Sequence, residues 1–305
     1  MCRVILDRRN LTLEYATDCV IIRVPDKPPR SLPLKQLEQL ICLHSVQLTT
    51  QLIGQLQKRG IDLIVINQRY VDHSFSLFAD QQKQVERRCR QYQWQTDDHN
   101  RMVIASKLCR HKFQVMARIA RAEELGSSIK STLQKAIDRC ESCLDESALR
   151  GIEGAAQREL FACWKQKLPP QLGFKNRQRR PPPDPVNSTL SLTYTLLHQE
   201  AVRQCKRHGL DPQLGFYHRT AFGRQSLACD LMEPLRPKAE AWVVDLLRKG
   251  TLNKRMYSMT NGACLLGKEG RTQYYSLFEQ AYESWQRSLG ATARWLCLEI
   301  DNGVH

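Results

Sequence analysis

Four residues in this chain have types and spacings that suit divalent-metal chemistry: Glu153, His218, Asp230 and Glu233. In Leu227-Ala228-Cys229-Asp230-Leu231-Met232-Glu233 the two acids stand three residues apart, which puts both carboxylates on one helix face. Leu227 and Leu231 form an apolar stripe beside them, so the acids sit at the edge of a core, where an unpaired carboxylate is costly and a divalent cation offsets that cost. Cys229 points away from the acidic face. His218 closes the turn-rich stretch 210–218, twelve residues before Asp230. Glu153 lies in Gly151-Ile152-Glu153-Gly154-Ala155-Ala156, read as the first turn of a helix whose buried stripe includes Leu160, Trp164 and Leu168. The helix dipole favours a carboxylate there, and the small neighbours leave room for a metal or a bulky ligand. Carboxylate oxygens with one imidazole suit Mg²⁺ or Mn²⁺ better than a thiolate-bound structural metal. Each residue also has a purely structural account, with the acids in salt bridges to Arg219, Arg224 or Arg236. Spacing leaves that account open.

The charge balance indicates what such a site would act on. Lys and Arg number 46 against 31 Asp and Glu, a formal charge of +15, so a polyanion is attracted before specific contacts form and nucleic acid is the leading partner. A metal site on a basic protein points to phosphoryl transfer, in which the metal polarises the scissile phosphate and lowers the pKa of a water or hydroxyl nucleophile. Arg236 is placed to hold the developing negative charge. Lys175, Arg177, Arg179 and Arg180 surround Pro181-Pro182-Pro183, a segment that cannot be regular helix. Composition does not choose between a solvated basic loop and one that grips phosphates. No Walker loop and no G-x-G-x-x-G occurs, so nucleotide hydrolysis is not expected.

The elements that must position these residues fall into two styles. Residues 3–6, 11–15, 19–24 and 62–66 are short runs rich in β-branched residues and read as strands. Residues 34–40 and 49–59 have helical spacing, with Gly60 placed to end the second helix. From Met102 the period is helical, through Ile104, Leu108, Phe113, Met116 and Ile119, and Gly209 ends a helix over 189–206. The expected class is α+β: a small, mostly-β N-terminal domain (1–78), a charged linker (79–92) and a larger all-α domain (93–305). The chain has twelve cysteines, scattered except for Cys140 and Cys143, and one such pair makes neither a disulfide framework nor a zinc site. The thiols read as reduced, and no signal peptide or membrane-spanning run is legible, so a cytoplasmic, membrane-free location is expected.

Several of these motifs together carry a family likeness. Arg180-Pro181-Pro182-Pro183-Asp184-Pro185-Val186-Asn187-Ser188-Thr189-Leu190-Ser191-Leu192-Thr193-Tyr194, then Gly209-Leu210-Asp211-Pro212, Gly215-Phe216-Tyr217-His218 and Asp230-Leu231-Met232-Glu233-Pro234-Leu235-Arg236-Pro237, closely resemble the CRISPR adaptation integrase, the first of the CRISPR-associated protein families. Gly151-Ile152-Glu153-Gly154 resembles that family's first ligand motif, and the likeness covers nearly the whole chain. It implies an integrase and endonuclease of prokaryotic antiviral defence. Such an enzyme inserts captured DNA fragments into a CRISPR array by attack of a fragment 3′-hydroxyl on a repeat phosphodiester. It further implies Mg²⁺ or Mn²⁺ held by Glu153, His218 and Glu233, a supporting catalytic role for Asp230, and a basic position beside the metal at Arg236. Asn187 would position helices. Arg177, Arg179 and Arg180 of the basic triple-proline segment, with Arg236, are the expected DNA contacts on the strength of their charge. The implied partners are the fragment duplex, the CRISPR repeat, a second copy bound through the β domain, and the small second CRISPR-associated protein. Some members are fused to a reverse transcriptase or an RNA-processing domain, and the short tail beyond Gly290 suggests that a family C-terminal extension is missing. A branched-DNA nuclease without an integration role and a catalytically silent DNA-binding subunit are the alternatives.

Overall fold

The β-branched runs of the first third pair into two sheets in a computed structural model that describes residues 2–67, 74–78, 84–140, 143, 145–178 and 181–303. One sheet has the order β1 (Cys2–Leu6), β5 (Leu37–Cys42), β7 (Asp62–Val65), β8 (Phe75–Leu77). Its first three strands are parallel, and β8 is antiparallel to β7. The other has the order β4 (Lys27–Pro33), β3 (Cys19–Val24), β2 (Leu11–Ala16), β6 (Val46–Leu48). Thr17 and Asp18, both at positive φ, make the two-residue turn between β2 and β3. Leu11, Leu13, Val20, Leu40, Leu52, Leu56, Leu63 and Val65 close the core of this unit. Helix α1 (Thr50–Lys58) ends at Gly60, whose φ of +71° supplies the expected left-handed stop.

Residues 34–40 do not form the expected helix. Leu34–Gln36 make one 3₁₀ turn and the chain then enters β5. The Leu34/Leu37 spacing serves that single turn. Thereafter β5 lies between β1 and β7 and is buried along nearly its whole length, so ladder pairing overrides the local helical period.

Two compact units divide at 83/84. The expected linker over 79–92 therefore needs correction: residues 79–83 lie outside the described residues, and α2 (Val85–Thr96) occupies most of the rest. The charged run is a helix because Gln91 is a buried anchor. Its amide donates to the Asp211 and Leu214 carbonyls at 3.0 Å each and accepts from the Asp211 N–H at 2.8 Å. That bond set ties α2 to the loop carrying His218.

The second unit continues with α3 (Asp98–Ala122), α4 (Ser127–Cys140), α5 (Glu146–Lys167), α6 (Pro185–Arg207), α7 (Ser226–Met232), α8 (Arg236–Arg248) and α9 (Lys268–Asn302). Between α8 and α9 the described chain adds an antiparallel hairpin, β9 (Tyr257–Thr260) and β10 (Ala263–Leu266), that the helical reading did not anticipate. It has a place in the fold, since the Cys264 N–H donates to the Pro182 carbonyl at 2.8 Å and pins the triple-proline segment. Helix α6 is buried over most of its surface and packs against α7, α8 and α9. Asp97, Asp145 and Asp184 cap α3, α5 and α6 by accepting from backbone N–H groups of the first turn. The Asp145 cap starts α5 well before Glu153, so that residue stands in the helix interior and not in the first turn. Among the described residues no helix is long and apolar enough to cross a membrane.

Candidate metal centre

Three elements bring the sequence-predicted residues together: α5 carries Glu153, the loop before α7 carries His218, and α7 carries Asp230 with Glu233 at its C-cap. Asp230 is sealed from solvent and fully engaged. Its Oδ2 accepts from the N–H groups of Phe216 (2.6 Å) and Tyr217 (3.0 Å), and its Oδ1 accepts from the His218 N–H (2.9 Å). The same Oδ1 lies 2.7 Å from His218 Nδ1. An oxygen already accepting from a backbone N–H needs a donor there, so Nδ1 carries the proton and the lone pair is left on Nε2. Nε2 faces Glu233 Oε1 at 3.8 Å.

This turn depends on Gly215. A Cβ at that position would lie 2.6 Å from the His218 carbonyl oxygen and 2.9 Å from Asp230 Oδ2. The close wrapping of residues 215–218 around one carboxylate is therefore open only to glycine.

Glu233 is equally buried but held by cations. Its Oε2 accepts from Lys112 Nζ at 2.7 Å and its Oε1 from Arg236 Nη1 at 2.5 Å. Burial by itself would raise the Glu233 carboxyl, but Arg236, Lys112 and His218 outweigh it and hold the group well below the usual carboxylate range. Lys112, on α3, is 1 % exposed and also donates to Glu153 Oε1 at 2.5 Å. Burial pushes its ammonium down, yet Glu233 and Glu153 more than reverse this and keep it charged.

Two carboxylates thus converge on one point occupied by a cationic nitrogen, and an imidazole with its Nε2 open stands against one of them. Among the described residues no three His, Cys, Asp or Glu side chains form a ready-made cluster, because Lys112 stands between Glu153 and Glu233. The donor set nonetheless fits a hard divalent ion: carboxylate oxygens and one imidazole nitrogen, aimed at a place where positive charge is already stabilised.

Arg236 links the centre to a second buried layer. Its guanidinium lies 4.7 Å from the centroid of the Tyr194 ring. Tyr194 donates to Glu240 Oε1 at 2.6 Å, and Gln157 donates to both Glu240 oxygens at 3.2 and 3.1 Å. Burial raises the Glu240 carboxyl above its ordinary range despite these bonds.

Among the residues expected to meet DNA, Arg177 is committed to the protein. It donates to the Gln178 carbonyl (2.7 Å), Asn187 Oδ1 (2.9 Å) and Ser191 Oγ (3.2 Å). Asn187 is fully buried, accepts from the Gln178 N–H at 2.8 Å and donates to the Asn176 carbonyl at 2.9 Å and Asp184 Oδ2 at 2.7 Å. It thereby fastens the segment before α6 to that helix. Arg179 and Arg180 lie outside the described residues. Cys140 and Cys143 are free thiols.

Sequence reasoning missed Lys112, Glu240 and Gln157. For Lys112 a signal was available: Leu108, Lys112 and Met116 recur every four residues, which places a lysine on the buried stripe of α3.

The sequence profile described as "CRISPR associated protein Cas1" matches residues 4–280. The "CRISPR-associated endonuclease Cas1 1" of Thermodesulfovibrio yellowstonii is 31 % identical over 317 residues, covering 99 % of each chain. In fold, the chain is similar to a Cas1 protein from Thermotoga maritima, with a TM-score of 0.87, 20 % identity and 99 % of each chain covered. It is also similar to a casposase bound to its integration product, with a TM-score of 0.84, 19 % identity, and 99 % of this chain and 91 % of the other covered. By profile, full-length relative and fold, this chain belongs to the CRISPR-associated Cas1 endonuclease family.

Proposed function

We propose that this chain is a metal-dependent DNA integrase and endonuclease that inserts captured fragments into a CRISPR array. The observation that carries the reading is the convergence of Glu153 and Glu233 on one cationic point beside a His218 imidazole fixed by Asp230. In the joining step the 3′-hydroxyl oxygen of a fragment attacks a repeat phosphorus. One P–O bond forms, the repeat's own 3′ oxygen leaves and takes a proton, and the number of phosphodiesters is unchanged, so no energy-rich co-substrate is needed. Mg²⁺ or Mn²⁺ held by Glu153, His218 Nε2 and Glu233 would supply Lewis acidity at the scissile phosphate.

The chain's own residues do the rest. Asp230 holds the imidazole in the Nδ1-protonated form, so that Nε2 is directed to the centre. Arg236 faces the charge that builds on the phosphoryl oxygens, with its orientation set by the Tyr194 ring. Glu153 is the more exposed carboxylate, with 21 % of its side chain accessible against 2 % for Glu233, and is the one able to swing from Lys112 toward a ligand. Basic surface charge draws in fragment and repeat DNA. A homodimer through the β-rich unit and the small second CRISPR-associated protein complete the assembly that the family likeness implies.

The test incubates the protein with a short 3′-hydroxyl duplex, a supercoiled plasmid bearing a repeat, and Mg²⁺ or Mn²⁺. Joined products that disappear in Glu153→Ala, His218→Ala and Glu233→Ala are expected. Cleavage without joining would favour a branched-DNA nuclease, and activity surviving all three changes would sink the site.

A further inference from the structure

Four residues beyond His218 the chain presents a phenylalanine entirely to solvent. Phe222 is 109 % exposed relative to its reference, far beyond any other large apolar side chain among the described residues. Leaving such a ring in water forfeits about 1.5–3 kcal/mol that burial would return, so the fold gains nothing from it there.

Its presentation is built. The Arg224 N–H donates to the Ala221 carbonyl at 3.1 Å and Gly223 has a φ of +68°, which makes 221–224 a tight turn with Phe222 at its apex. Both legs of the loop are anchored. The Arg219 guanidinium donates to both Glu146 oxygens at 3.0 Å, and the Ser226 hydroxyl donates to the Arg219 carbonyl at 2.9 Å. Arg219 and Arg224 flank the aromatic tip in sequence, and Arg219, though paired with Glu146, keeps 74 % of its side chain in solvent. An exposed apolar ring on a chain of formal charge +15 matches one chemistry in particular: a nucleobase, whose face is apolar and whose backbone is anionic. Four residues of chain reach at most roughly 14 Å from His218, a few base steps along a duplex.

Resting on the proposed action on DNA, we infer that Phe222 is a wedge. It stacks on or between bases of the target strand within a few steps of the phosphate engaged at His218, and it unstacks that step so that the backbone can bend into the centre.

The experiment places 2-aminopurine at successive positions around the joining site and titrates the full chain as wild type, Phe222→Ala and Phe222→Trp. Wild type and Phe222→Trp are expected to raise fluorescence several-fold at one or two positions only. Phe222→Ala is expected to abolish that rise and to weaken binding by roughly 5- to 150-fold, the loss of one base–aromatic stack. Its thermal midpoint should be unchanged, because the side chain touches nothing in the fold. An identical fluorescence profile in wild type and Phe222→Ala would overturn the wedge while leaving the proposed function standing. So would an altered sedimentation coefficient of Phe222→Ala with unchanged DNA binding, which would assign the ring to a protein contact. Failure of the wild type to bind any of these DNAs would instead overturn the proposed function itself.

Discussion

Asp230 and Glu233 stand three residues apart and are both shut away from solvent, yet their surroundings are opposite in kind. Around Asp230 the partners are three backbone N–H groups and a ring nitrogen, fixed by the chain's path through 215–218. Around Glu233 they are the side-chain tips of Lys112 and Arg236. A carboxylate bound by backbone donors cannot exchange them without unfolding the turn. A carboxylate bound by long side chains can exchange one cation for another. Under the proposed function one region is scaffold and the other is workplace, although the sequence writes them with the same kind of residue.

The largest effect expected from this contrast is that of Glu233→Ala. It leaves a buried Lys112 with only Glu153 and takes from Arg236 its ion-pair partner, so a urea melt should show a loss of about 3–5 kcal/mol together with the end of joining. A loss below about 1 kcal/mol would mean that the cations find new partners at once, and the two pockets would then not differ as described.

Asp230→Asn comes next. An amide has one acceptor oxygen for donors that now use two, so about 1–3 kcal/mol should be lost and joining should slow by roughly 10- to 100-fold. The ¹⁵N shifts of the His218 ring should then show both tautomers, whereas a ring still wholly Nδ1-protonated would remove Asp230 from the role of orienting it.

The smallest effect belongs to the outer layer. Burial raises the Glu240 carboxyl in the folded state, so its contribution to stability is fully present below the unfolded value near 4.3 and is lost as pH rises through the folded value. Glu240→Gln removes that titration. Its stability relative to wild type should climb as pH rises past the unfolded value, and a difference that falls with pH would show that the charged carboxylate is preferred there.

How much of this was legible depended on whether a residue's meaning was local. Strands β1, β2, β3 and β7 could be read from their β-branched runs, and Gly60 and Gly209 were correctly taken as helix stops, because their left-handed φ belongs to the residue itself. Residues 34–40 were misread because β5 owes its form to neighbours on both sides. Glu153 was assigned to a first turn, while the actual entrance is the Asp145 cap. At the centre, type and spacing singled out His218, Asp230 and Glu233 as candidates and left a purely structural account open. The separate task of Asp230 depended on a backbone turn that spacing does not encode. Lys112 comes from another helix altogether, and only its place on an apolar stripe gave it away.

Gly215 has a consequence for how this loop can vary. Loops ordinarily absorb substitutions and insertions that a core rejects. Here the first half of the loop is as intolerant as any core position, since even one added methyl group meets the His218 carbonyl and the Asp230 carboxylate. Past His218 the packing constraint lifts: 219–223 are exposed, and a Cβ at Gly223 would meet nothing within 4 Å, so that only its φ of +68° favours glycine there. Within ten residues the chain passes from a segment closed to substitution by packing to one where packing sets no limit and only the Gly223 φ and the Arg219 anchor constrain it. Under the proposed function, changes in target preference have a defined place to accumulate, directly beside His218.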